Sequence, residues 1–217
     1  MYVHPAFKIE TAEALALLRD RAFGLFVVPT PEGPFGAHVP FLVNERANGR
    51  LWVELHVSRA NNIHSFIGGN CKALLICQGP DAYISPDWYG SPNQVPTWTY
   101  GSVHLKGAAR IRPEAEHLEH VERLSAFFEN RLLPKKPWSS SKLDRARRDA
   151  MLKAIVAITM DVETVEAQKK LIQHKDEAVH RGAIAGLRSK GDSGSRAIAD
   201  LIEETAAKKF GWSRRAQ

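Results

Sequence analysis

Cysteine is scarce in this 217-residue sequence, with only Cys71 and Cys77 present, six apart within "CKALLICQG". That run reads as a buried strand, on which the two thiols share a face but lie too far apart to bond, so a disulfide between them is excluded. They are expected as reduced core thiols. Long apolar runs are missing as well, which excludes a transmembrane helix. The start, "MYVHPAFKIE", has neither the basic opening nor the apolar middle of a secretory signal. The expectation is a soluble cytoplasmic protein with no membrane segment. Several catalytic signatures are also lacking: no G-x-G-x-x-G follows a strand, and there is no P-loop, no G-x-S-x-G and no H-E-x-x-H. The dinucleotide, nucleotide-hydrolase, serine-hydrolase and zinc-protease patterns are therefore not those of this chain. No internal repeat or low-complexity tract appears.

What is present suits a folded domain, since 44% hydrophobic content can fill a core. The net charge of +6 is unevenly placed: residues 1 to 134 carry 12 Lys and Arg against 13 Asp and Glu, and residues 135 to 217 carry 18 against 11. The last third is thus basic, which can attract nucleic acid or an anionic cofactor but does not define a fold.

Local patterns give the organisation. "TAEALALLRDRA" reads as an amphipathic helix over residues 11 to 22, with Thr11 as its cap. "FGLFVV", "GAHVPFLV" and "LWVELHV", separated by "PTPEGP" and "NERANG", predict an antiparallel meander. "CKALLICQ" is a fourth strand, residues 97 to 111 a long fifth one with bends at its glycines, and "IVAITMDVETVEA" a returning sixth. "SRANNIHSFIGGN" leaves room for a helix of about two turns. Residues 114 to 131 are helical, "KLDRARRDAMLKA" forms a further helix, and the tail from Asp176 is helical in two pieces split by "SKGDSGS". Together these predict a mainly β protein, a small antiparallel barrel elaborated by peripheral and C-terminal helices. The expected domains are residues 1–170 for the barrel with inserted helices and 171–217 for a helical C-terminal extension.

Two regions carry candidate chemistry. "ELHVSRANN" brings the Ser58 hydroxyl, the Arg59 guanidinium and the free N–H groups of a helix start to one place, a set suited to a phosphate monoester. An arginine at a helix start is also a common solvated charge. "GPDAYISPDWYGSPNQVPTWTY", residues 79 to 100, combines Tyr83, Trp88, Tyr89, Trp98 and Tyr100 with Ser85, Thr97 and Thr99 on a proline-stiffened, loop-like segment. It fits a planar heteroaromatic ligand, and equally a rigid aromatic connection at a subunit interface. Among nine histidines, His38, His56 and His104 fall in predicted strands as half-buried imidazoles. His117 and His120 have metal-ligand spacing on a helix, but neighbouring Glu116 and Glu119 suggest a solvated face, so no metal is expected.

With "MYVHPAF", "FGAHVPFLV", "HVSRANN", "GPDAYISPDWY", "VPTWTY" and "QKKLIQHK" in this order, the chain resembles the PaiB-like family of FMN-binding negative transcriptional regulators, within the FMN-binding split-barrel superfamily. The resemblance runs over most of the chain. It implies a six-stranded antiparallel split β-barrel that forms a homodimer with FMN held in a groove between subunits. By similarity to the pyridoxamine-phosphate oxidase pattern, Ser58 and Arg59 would grip the flavin phosphate. Ala60 stands where those oxidases carry a cation, and Asn61 or Lys170 would compensate. Asn62 and Thr99 also depart from the family's usual proline and asparagine. The ring would meet the aromatic stretch, with Tyr83, Ser85, Trp88, Thr97 and Trp98 as its candidate contacts.

The resemblance implies a regulator coupling flavin binding to gene expression. No helix-turn-helix pattern is found, so any DNA contact is expected from the basic last third, through Lys135, Lys136, Arg145, Arg147 and Arg148. The alternative is an FMN-dependent oxidoreductase, in which no side chain is an obvious acid or base and His38, His56 and Trp98 are the first to test. A haem-handling split barrel, with histidines as iron ligands, is a third reading.

Overall fold

The computed structural model describes residues 1–69 and 71–212. Six strands form a sheet that closes on itself: β1 (Phe23–Thr30), β2 (Gly33–Glu45), β3 (Leu51–Ser58), β4 (Cys71–Ile84), β5 (Thr97–Ile111) and β6 (Ile155–Lys170). Five helices accompany them: α1 (Thr11–Arg21), α2 (His117–Glu129), α3 (Arg145–Lys153), α4 (Glu177–Lys190) and α5 (Ser193–Phe210). The strand order is β1-β2-β3-β6-β5-β4, so the predicted meander of the first three strands is present and β6 inserts beside β3. This is the antiparallel split barrel expected from the sequence. Closure is made by Leu25, Phe26 and Val27 of β1 pairing with Ile76, Leu75 and Leu74 of β4, which shortens the edge open to another strand.

Several elements differ in length from their sequence reading. β4 continues through "GPDAYI", the first six residues of a stretch that reads as a loop, because Gly79 and Pro80 break its local pattern while the ladder carries it on to Ile84. β6 likewise runs through Gln168, Lys169 and Lys170. The segment after β3 is a single 3-10 turn, Asn62–Phe66, and not a helix of two turns; it is capped by Asn61, whose Oδ1 accepts the Ile63 N–H. The two tail helices are divided only at Gly191, which takes the left-handed conformation that closes α4, and at Asp192, which caps α5. The expected extension to residue 217 includes positions 213–217, which lie outside the described residues.

Contacts divide the chain into two compact units. The first comprises Met1–Ala14, Gln78–Val103 and Glu166–Gln217, and the second Leu15–Cys77 and His104–Val165. In the first, Ile184, Leu187, Ile198 and Ile202 of α4 and α5 form a core with Ile84 and Tyr89. In the second, Phe26, Phe41, Val53, Leu55, Leu105 and Ile158 are fully buried. Gly107 marks a close backbone approach there: an added Cβ would overlap the Asp161 carbonyl of β6. Cys71 and Cys77 are buried and unbonded, as expected. Among the described residues no helix is long and apolar enough to cross a membrane.

Candidate functional site

In the second unit, β3 ends at Ser58 and the chain turns through Arg59, Ala60 and Asn61, with Asn61 N–H donating to the Ser58 carbonyl at 2.9 Å. Ser58 Oγ accepts the Ala60 N–H at 3.3 Å, which leaves its hydroxyl proton to give. Arg59 lies against the start of β6: Nε donates to the Lys153 carbonyl at 2.7 Å, and Nη2 donates to the Ile155 carbonyl at 3.1 Å and to Glu114 at 2.8 Å. These bonds fix the plane of the guanidinium and leave Nη1 as its uncommitted edge. The expected helix N-terminus contributes little. A single 3-10 turn has almost no macrodipole, and its cap already takes the Ile63 N–H. A phosphate here would meet two side-chain donors, Ser58 and Arg59, with the Glu114 carboxylate competing for the same guanidinium.

The first unit holds the aromatic stretch, and its rings divide into two kinds. Trp88 and Tyr89 follow Ser85, which caps a short 3-10 turn by accepting the Asp87 N–H. Tyr89 is buried, and Trp88 packs on α4 at Gly182 and Gly186; a Cβ at Gly186 would overlap the indole. Here the connection is a packed scaffold. Tyr83 and Trp98 differ: they are 39% and 56% exposed and meet edge to face with centroids 6.1 Å apart. Beside them, Lys170 Nζ donates to Thr97 Oγ1 at 2.7 Å, while buried Thr99 donates to the Ala82 carbonyl. Two exposed rings set edge to face, with one cation beside them, result. His38, in the second unit, is exposed and stacks on Phe23.

The structure joins His56 to a cluster that sequence reasoning missed. On the face of β3 covered by α2, Glu54 is 0% exposed, accepts hydrogen bonds from Asn44 on Oε1 and from Arg112 and His120 on Oε2, and forms an ion pair with Arg123 through Oε1. His120 Nε2 lies 2.9 Å from His56 Nδ1, which makes a chain Glu54–His120–His56. His117 and His120 are therefore buried under the helix, correcting the solvated face that Glu116 and Glu119 suggested. Among the described residues no group of three or more His, Cys, Asp or Glu side chains is placed to hold a metal. The signal was visible in "LWVELHV", where one carboxylate in an apolar strand needs cationic or imidazole partners from elsewhere in the chain.

Electrostatics follow from this packing. Burial pushes the Glu54 carboxyl up, but the His120 hydrogen bond, the Arg123 charge and the Asn44 amide outweigh it and hold the group below its ordinary value. For His56, burial first, then neighbouring His120 and His117, push the imidazole down to about 4. His56 is thus neutral near neutral pH. With Glu54 ionised, His120 donates to it through Nδ1.

A closed six-stranded antiparallel sheet with flanking helices defines a class, the flavin-binding split barrels. The chain matches the family model described as "Putative FMN-binding domain" over residues 1–164, and it belongs to that family, whose cofactor is FMN. It is 28% identical over 211 residues to "Protease synthase and sporulation protein PAI 2" of Bacillus subtilis, covering 97% of this chain and 100% of that protein. Among solved structures, the flavocytochrome Anf3 from Azotobacter vinelandii superposes with a TM-score of 0.54 at 15% identity, covering 77% of this chain and 72% of that one. The FAD and haem binding protein from Mycobacterium smegmatis gives 0.52 at 12% identity, covering 74% and 71%. At such identities these two likenesses speak for the fold alone.

The donor set at the end of β3 fits one part of FMN, its phosphate, through the Ser58 hydroxyl and the free edge of Arg59. Ala60 is exposed and adds no charge, and its N–H is already given to Ser58.

Proposed function

We propose that this chain acts as a soluble cytoplasmic homodimer that holds FMN and couples flavin occupancy or redox state to gene expression. The whole-length similarity to the sporulation-related relative, together with the FMN-binding family match, carries this reading. Ser58 and Arg59 serve as the phosphate anchor, and Glu114 tunes it by competing for the guanidinium. Tyr83 and Trp98 offer flat surface to the isoalloxazine or to a partner subunit, whereas Trp88 acts as scaffold. When bound, FMN supplies one- or two-electron redox chemistry. The chain's own residues bind it, orient it and limit water around it.

DNA contact, if direct, falls to the basic residues that precede and occupy α3. Arg145 is almost fully exposed, although it lies near Asp149, and Lys135 is paired with Glu129. The second reading, an FMN-dependent oxidoreductase, is favoured by the fold shared with a flavocytochrome. Visible spectroscopy with FMN titration, on the chain and on Arg59→Ala, tests the anchor: unchanged affinity in the variant removes Arg59 from the site. A mobility-shift series across ionic strength tests DNA contact, which requires affinity that falls steeply with salt and a sequence preference that survives it. FMN-dependent NAD(P)H oxidation with no DNA binding would select the oxidoreductase instead.

A further inference from the structure

Residues 1 to 134 carry 12 Lys and Arg against 13 Asp and Glu, so the charge along the chain points away from this part of it. The fold nevertheless gathers three of its arginines. In the second unit, where β2 turns into β3 and β5 ends beside β6, Arg46, Arg110 and Arg112 line a groove of about 290 Å³ together with Trp52, Glu116 and Thr159. Two of the guanidiniums reach a single anion. Arg46 Nη2 donates to Asp161 Oδ1 at 2.8 Å and Arg110 Nη1 donates to Asp161 Oδ2, which puts these nitrogens within about 8 Å of each other. Arg112 is nearly buried, and it donates to Glu54 through Nη1 and to Glu116 through Nε, each at 2.8 Å.

The charges do not cancel evenly. Arg112 meets two carboxylates, whereas Arg46 and Arg110 share one, so two like charges are held beside a single negative charge and one positive charge is left over. The pair is also fixed in place: the Arg46 guanidinium carbon lies 5.7 Å from the Trp52 ring centroid, and Trp52 stands opposite Asp161 in the β3–β6 ladder. With one nitrogen of each on Asp161, Nε and Nη1 of Arg46 and Nε and Nη2 of Arg110 have no partner among the described residues. Thr159 adds no donor, because its hydroxyl is given to the Val53 carbonyl. Glu116 repels an anion from the Arg112 end of the groove, which leaves the Arg46 and Arg110 side. Donors that are all cationic select an anion, and two guanidinium forks from different strands suit an oxyanion with several oxygens to share between them. We propose that the Arg46–Arg110 pair is a binding site for a phosphate group, carried by a small phosphorylated molecule or by a nucleic-acid strand, which the free edges of the two guanidiniums bridge. It is separate from the Ser58–Arg59 corner, since Trp52 and Ser58 lie at opposite ends of β3, about 20 Å apart.

Calorimetric titration with pyrophosphate and with a single-stranded oligothymidine tests the pair, on the full chain carrying Arg59→Ala so that the corner at the end of β3 does not answer for the probe. In that background Arg46→Gln and Arg110→Gln are each expected to weaken pyrophosphate binding about tenfold, as loss of a charged hydrogen bond does. Asp161→Asn, which takes the shared counter-charge from both arginines, is expected to tighten it a few-fold. The two probes separate the sources: oligonucleotide binding that is tighter than that of pyrophosphate, falls steeply with salt and is weakened by Arg110→Gln assigns the phosphate to nucleic acid, and pyrophosphate binding without oligonucleotide binding assigns it to a small molecule. No saturable binding of either probe, affinities unmoved by both arginine variants, or weaker binding in Asp161→Asn would each overturn the proposal. So would a fall in FMN affinity when Arg110→Gln is made in the otherwise unaltered chain, because the groove would then be holding the flavin's own phosphate.

Discussion

Two arginine–carboxylate sites in the second unit use the same chemistry to different ends. Glu54 is wholly buried and meets Arg112 and Arg123, each at 2.8 Å. Glu114 meets Arg59 at the same 2.8 Å, but its side chain is 67% exposed. Water and salt screen the exposed pair, so it contributes little to stability and its guanidinium can exchange partners. The buried Glu54 carboxylate has no water to fall back on. Removing Glu54 takes a shared buried acceptor from two arginines and a histidine, whereas removing Glu114 at the surface frees an arginine for a ligand.

The largest effect expected is from Glu54→Ala, which takes from Arg112, Arg123 and His120 the buried carboxylate they share and leaves Arg112 only Glu116 and Arg123 only Asn44 and Glu119. A loss of about 3–5 kcal/mol corresponds to a fall in Tm of about 6–20 °C for a chain of this size, read by calorimetry. A change within about 0.5 kcal/mol would mean that water reaches the cluster. Next, Arg59→Ala is expected to weaken FMN binding by about 1.5–3 kcal/mol, the worth of a hydrogen bond to a charged group, while Tm moves little. An equal loss of stability would put Arg59 among the structural residues.

Acid should act on the buried set. His56 titrates at about 4 when folded against an ordinary 6.5, so as pH falls from 6.5 towards 4 the unfolded chain takes up more protons and stability falls. Glu54, held low, adds a loss of the same sign as pH drops from its ordinary 4.5 through its folded value. His174 and His180, also held low by burial, act in the same direction. The groups around His56 are Glu54 on its own strand, His117 and His120 on α2, and Arg148 on α3. His56→Gln should therefore flatten the slope of Tm between these pH values without abolishing it; an unchanged slope would show that His56 is not held neutral. The smallest effect belongs to Glu114→Gln: stability within about 0.5 kcal/mol and FMN binding a few-fold tighter at low salt. Weaker FMN binding in this variant would show that Glu114 orients Arg59 and does not compete with the phosphate.

Much of the fold was legible because local patterns and tertiary packing agree. The limits of β5 match residues 97 to 111, and α1 begins at Thr11, which is its first helical residue while Glu10, whose carbonyl accepts the Ala14 N–H, takes the cap position. Agreement failed where long-range partners decided. Gly79 and Pro80 look like a turn, but the closed sheet extends β4 past them to Ile84. The aromatic stretch from Gly79 to Tyr100 read as one surface. In the structure Trp88 and Tyr89 serve the helical core, and Tyr83 and Trp98 remain outside. His117 and His120 were misread because two flanking glutamates suggested water, whereas helix periodicity turned the histidines inward onto β3.

By itself, then, the sequence determined the antiparallel β class, the helical segments, the thiol state of the cysteines and the Ser58–Arg59 corner. Each follows from residues close together in the chain, through periodicity, capping and turn chemistry. Only the tertiary structure decided what Glu54 and His56 are for. Their partners, Arg112, His120 and Arg123, lie more than fifty residues away, and no local rule predicts which distant side chain a closing sheet and a covering helix bring to a buried carboxylate.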